Sequence, residues 1–173
     1  MSTLMDDSVT LDDLEGGRGK PLPTGVRYKG TFLEAKVEDH PKGNGRQARL
    51  QLGNITTAAG ETEFAQNGAG TYRIGGRKVF VDEWVQHTSA QAQQIGHQNL
   101  KRIAVATGLV PRPEKGEKVV LPTQDPEELA SLFVGRSAEF EVKHERQLNA
   151  DKTPKFEDDG VTPKVRVVVA RWF

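Results

Sequence analysis

From Gly25 onward the chain alternates apolar and polar positions as a strand does: Leu33, Ala35 and Val37 share one parity, while Tyr28 and Phe32 occupy the other. A long strand that changes its buried face needs a bend or bulge, and Gly30, between the two rings, is where one is predicted. The run from His40 to Arg46, with its Pro, Gly and Asn-Gly, predicts a turn. A second strand follows over Arg46 to Leu52, with Ala48, Leu50 and Leu52 on one face and Gln47, Arg49 and Gln51 on the other. Residues 53 to 77 are rich in glycine and poor in apolar residues apart from Phe64 and Tyr72, which predicts a long irregular excursion.

Val79, Phe80, Val81, Trp84 and Val85 have the β-branched and aromatic bias of a third strand. Its pattern leaves two faces open, with either the valines or Phe80 and Trp84 directed into the core. The following segment, TSAQAQQIGHQNLKRIAVATG, lacks proline and predicts the chain's one long helix, capped by Ser89 and ended by Gly108. At about 100° per residue, Ala92, Ile95, Gly96, Leu100, Ile103 and Thr107 form its docking face, and His97 and Val105 point away. Gly96 within that face predicts a close approach to a strand.

Residues 110 to 124 form a second connector, and a short helical turn from Pro126 to Phe133 leads to Gly135. Ser137 to Glu145 and Lys164 to Phe173 read as the last two strands, joined by a long hairpin tip that carries Lys152, Lys155 and Phe156. Both faces of the final strand are partly apolar, which predicts an interior position. The order strand, strand, strand, helix, strand, strand predicts an all-β fold with one main helix. Its form is an OB-fold-like five-stranded barrel whose helix lies between strands 3 and 4.

Composition narrows this picture to one folded unit, because 35% hydrophobic residues and a mean hydropathy of −0.59 supply a single modest core. The balance of 24 basic against 24 acidic residues hides five carboxylates, Asp6, Asp7, Asp12, Asp13 and Glu15, in a stretch without Lys or Arg. Residues 16 to 173 therefore carry 24 − 19 = +5, which permits a polyanion partner. Residues 1 to 24 are expected to be a flexible acidic segment, and 25 to 173 the folded domain. Absence of cysteine excludes a thiolate zinc site and disulfides, and no apolar run approaches the roughly 20 residues of a membrane span. A soluble, cytoplasmic protein is expected, with no cofactor.

In the OB architecture the outer face of strands 2 and 3 and the loops joining strands 1 to 2 and 4 to 5 bind oligonucleotides. Here those places hold Lys42 and Arg46, then Gln47, Arg49 and Gln51, then Lys78, Phe80 and Trp84, and last Lys152, Lys155 and Phe156. Cations track phosphates and flat rings stack on bases, so these residues make up the candidate nucleic-acid interface. Trp172 and Phe173 read as packing residues.

The stretches YKGTFLEAKVED, GGRKVFVDEWVQH, LKRIAVATGL and LFVGRSAEFEVKHE, with the valine-rich end, resemble small phage-encoded single-stranded DNA-binding proteins once grouped as a domain of unknown function. The likeness covers roughly residues 25 to 173. It implies an OB-like fold and sequence-tolerant binding of single strands during DNA replication or recombination in an infected bacterial cell. Replication or recombination proteins, and a second copy in a homodimer, are the further partners it allows. The acidic segment stands at the N-terminal side, whereas bacterial single-strand binders usually carry theirs at the C-terminus.

Catalysis is not expected. His40, His87, His97 and His144 have no metal-ligand spacing, and neither a phosphate-binding loop nor a nucleophile turn is present. Asp82-Glu83 and Glu157-Asp158-Asp159 are the residues a metal-dependent nuclease would need, but neighbours on a strand face opposite ways and acidic loop runs are usually solvated. The competing class is a β-barrel protein-interaction or virion-assembly module without nucleic-acid binding.

Overall fold

A computed structural model describes residues 20–66, 68 and 70–173. Five strands form one antiparallel sheet: β1 (Tyr28–Asp39), β2 (Gly45–Thr57), β5 (Val79–His87), β6 (Ser137–Arg146) and β7 (Val165–Trp172), in the order β5-β2-β1-β6-β7. Strands β3 (Glu63–Gln66) and β4 (Gly70–Arg73) make a separate hairpin. Helices α1 (Ala90–Ala106) and α2 (Pro126–Phe133) lie between β5 and β6 in the chain. The sheet curls until β5 and β7 approach within 8 Å, yet no hydrogen bonds join them, so the barrel is not closed.

The curl begins in β1. Its first residues pair with β6 on one side, Tyr28 opposite Phe140 and Thr31 opposite Ser137, while the whole strand pairs with β2 on the other. The β1–β2 register slips between Lys29 and Thr31, at Gly30 as predicted, and again between Phe32 and Glu34. Gly30 is buried, and a Cβ there would meet Phe140 at 3.2 Å and Leu52 at 3.3 Å. The bends keep Tyr28 and Phe32 in the core with Leu50, Leu52, Val79, Phe133 and Phe140, and turn Leu33 outward.

Helix α1 starts where its pattern predicts, with Ser89 Oγ accepting from the Ala92 amide. It packs chiefly on β5, and Gly96, Leu100, Ile103 and Ala104 are its buried residues. Ile95, assigned to the docking face, is 50% exposed, because it lies about 100° around the helix from Gly96, the point of closest approach. His97, expected to point away, donates from Nε2 to the Val85 carbonyl at 2.8 Å, and Val105 packs half-buried against the core. Helix α2 packs on β1 and β2 with Leu129, Ala130 and Phe133 buried, its amides capped by Asp125.

Three expectations need correction. Much of the excursion over 53 to 77 is regular among the described residues: β2 runs on to Thr57, and the β3–β4 hairpin stacks Phe64 on Tyr72 at 5.5 Å and on Tyr28 at 6.3 Å. The segment taken as flexible over 1 to 24 lies outside the described residues up to 19, but from Lys20 it is pinned. Leu22 is 2% exposed, and the carbonyls of Lys20, Leu22 and Pro23 accept from Tyr72, His144 and Tyr28. Finally, among the described residues β7 is an edge strand and pairs with β6 alone. A register slip between Glu141 and Val142 lets Val169 and Trp172 both pack on the core, which explains apolar residues at both parities of an edge.

Candidate nucleic-acid interface

The unjoined edges β5 and β7 border a cleft of about 1850 Å³ that spreads over the outer face of β2 and β5 and under the β6–β7 loop. Strand parity determines what β5 presents there. Val79, Val81 and Val85 are buried, so Phe80, Asp82 and Trp84 face outward. Phe80 is 55% exposed. Trp84 is half-buried between two imidazoles, 5.1 Å from His40 and 4.3 Å from His87, ring centre to ring centre. The two aromatic positions, four residues apart on one face, stand roughly 13 Å from each other along the strand.

Of the predicted residues, Arg49, Lys78, Phe80 and Trp84, with Gln47 beside them, line this cleft. Lys42, Arg46, Gln51, Lys152, Lys155 and Phe156 do not. Lys42 lies in the β1–β2 turn, its amide donating to His40 Nδ1. Arg46 is engaged by Asp39 at 3.3 Å and by Glu127 at the start of α2. Gln51 pairs with Phe80 across the β2–β5 ladder, further along the face. The β6–β7 connection is two small closed turns: Leu148 bridges Pro154 and Phe156 bridges Pro163. Asp151 and Asp159 accept from Thr153 and Thr162, which turns the tip back on itself and leaves Lys152 and Lys155 off the cleft.

Sequence reasoning missed the cleft cations Lys20, Arg77, Arg102, Lys164, Arg166 and Arg171, which come from the segment before β1, a glycine-rich corner, a helix and the β7 edge. It also missed how evenly the charges balance, since Glu38, Asp39, Asp82, Glu83 and Glu157 to Asp159 line the same cleft. Arg49 donates to Asp82 and Glu38, each at 3.0 Å. Lys78 and Lys164 make no ion pair among the described residues.

Asp82 and Glu83 point to opposite sides of β5. Glu83 faces α1, where Asn99 Nδ2 donates to it at 3.0 Å and Arg102 in turn donates to Asn99 Oδ1. Burial pushes the Glu83 carboxyl up to about 7, against the opposing effect of the Asn99 hydrogen bond. Among the described residues, no group of three or more His, Asp or Glu side chains could hold a metal ion, and no helix is long and apolar enough to cross a membrane. Set against protein-family models and against curated proteins, the chain matches none.

Proposed function

We propose that the protein is a non-catalytic, sequence-tolerant binder of single-stranded DNA that holds the strand in the cleft between β5 and β7. The observation that carries this reading is the outward pair Phe80 and Trp84 on the cleft wall, with Lys78 and Arg49 beside them. Exposed rings at strand spacing stack on unpaired bases of any sequence, and a duplex, whose bases are already stacked, cannot use them. An OB-like architecture fits the reading: without the β3–β4 hairpin, the sheet order is 3-2-1-4-5, the neighbour relations of an OB barrel opened between strands 3 and 5. A role in phage replication or recombination rests on the family resemblance of the sequence alone.

Labelled oligo-dT and a matched duplex, titrated by fluorescence anisotropy at low and high salt, test the proposal. Single-strand binding that weakens with salt and is lost in Phe80→Ala with Trp84→Ala supports it. Absence of salt-sensitive binding to the single strand removes it. The near balance of acidic and basic groups in the cleft favours a second reading, a protein-interaction or virion-assembly module. That reading gains if a protein complex survives nuclease treatment while the oligonucleotide does not bind.

A further inference from the structure

A strip of alternating charge crosses three strands and enters the cleft, which Glu38, Arg49 and Asp82 line. Lys36 of β1 pairs with Glu38 at 3.2 Å, Glu38 with Arg49 of β2, and Arg49 with Asp82 of β5. Cross-strand register sets the strip, since Lys36 and Asp82 are the partners of Arg49 on its two sides. Asp82 stands midway between Phe80 and Trp84 on the same face of β5. A strand stacked on both rings must carry its backbone past this carboxylate.

The pairs are exposed, and exposed ion pairs add little to stability. Their electrostatic effect on the cleft is larger. With Lys36 the strip is neutral, but Lys36 does not line the cleft, so the cleft itself meets two carboxylates around the one positive charge of Arg49, whereas Lys78 and Lys164, which also line it, have no carboxylate partner among the described residues. We propose that Glu38 and Asp82 are specificity-determining residues that neutralise Arg49 in place, so that over β5 the bound strand is held by its bases, and its phosphates are met by other cleft cations such as Lys78 and Lys164.

The inference rests on the single-strand reading above and deepens it. It gives the ligand class as an unpaired strand with accessible base faces, and it disfavours anions that offer phosphate alone. An arginine already compensated by carboxylates neutralises no phosphate, so binding in its neighbourhood releases few of the counterions condensed on the strand.

The test uses the full chain, labelled oligo-dT and a salt titration, comparing the unaltered protein with Asp82→Asn, Glu38→Gln and the double variant. Both replacements keep a hydrogen-bond acceptor for Arg49, and an unchanged thermal midpoint certifies the fold. The double variant is expected to bind about fivefold tighter at low salt. Its slope of log affinity against log salt should steepen by about 0.7 as one cation becomes available to a phosphate. A folded double variant that binds no tighter overturns the inference, as does tighter binding with an unchanged slope. Either result leaves the single-strand reading standing, because the unaltered protein still binds. Failure of every form to bind the oligonucleotide removes both.

Discussion

Gly96 of α1 lies so close to Trp84 of β5 that a Cβ on it would stand 2.1 Å from the Trp84 carbonyl oxygen. The atom in the way is backbone, which cannot swing aside as a side chain can. The contact joins the docking of the helix to the placement of a cleft ring, and His97 and Asn99 secure it on either side through Val85 and Glu83. Alanine in place of glycine gains roughly 1 kcal/mol of helix propensity. The clash outweighs that gain. Gly96→Ala is expected to lose about 2 kcal/mol or more in urea unfolding and to weaken oligonucleotide binding through a displaced Trp84. An equally stable variant would contradict the close packing.

Phe80 and Trp84 should separate binding from stability. Phe80 is largely exposed, so Phe80→Ala is expected to change the urea midpoint little while lowering affinity for oligo-dT by about tenfold or more, the worth of one stacked base. Trp84→Ala also removes the contacts with His40 and His87, and should lower both quantities.

The two tryptophans give a spectroscopic check. Trp172 is half-buried against the core, with Phe32 at 6.0 Å and Phe140 at 5.9 Å, and it lines the cleft from the β7 side. Quenching of emission by oligo-dT is expected to persist in Trp172→Phe and to disappear in Trp84→Phe. Persistence in Trp84→Phe would move the ligand off the β5 face and toward Trp172 on β7.

Glu83 predicts a pH dependence of stability. Its folded carboxyl titrates near 7, above its ordinary value of 4.5, so between those pH values the folded state binds more protons than the unfolded one. This group's stabilising contribution is complete below pH 4.5 and is lost as the pH rises through 7. Glu83→Gln keeps an acceptor for Asn99 and removes the titration. Compared with the unaltered protein, the variant is expected to be more stable at pH 8 by about 1–2 kcal/mol and to show a flatter profile from pH 5 to 8. Urea midpoints across that range decide it; a parallel pair of profiles would remove Glu83 as the cause.

Leu22 tests the boundary of the folded unit. Its burial beside the carbonyls held by Tyr28, Tyr72 and His144 makes it part of the core, and Leu22→Ala is expected to cost about 2–4 kcal/mol. A neutral result would return residues 20 to 24 to the status of a dispensable leader.

The sequence by itself determined what depends on near neighbours in the chain. The inward parity of Ala48, Leu50 and Leu52 follows from period-two alternation, and the bend at Gly30 from a change of parity within one strand. The Ser89 cap and the start of α2 at Pro126 follow from side chains that satisfy amides one turn away. Which side of β5 faces out was not legible, because valines at one parity and rings at the other suit either face until the neighbouring strand and α1 are in place. The edge position of β7 was hidden for a related reason: the slip at Glu141 puts apolar residues of both parities to use on one side.

Only the tertiary structure decided the site. Arg46 and Arg49 look alike in sequence, two cations on one strand. Their carboxylate partners come from residues as distant as Asp82 and Glu127: cross-strand register brings Asp82 to Arg49, and the docking of α2 on the sheet brings Glu127 to Arg46. The potential a ligand meets is a sum over such neighbours, each contribution falling as the inverse of distance, which chain position does not encode. Residue type therefore supplied the candidates, and the pairing of strands far apart in the chain determined which of them the cleft presents.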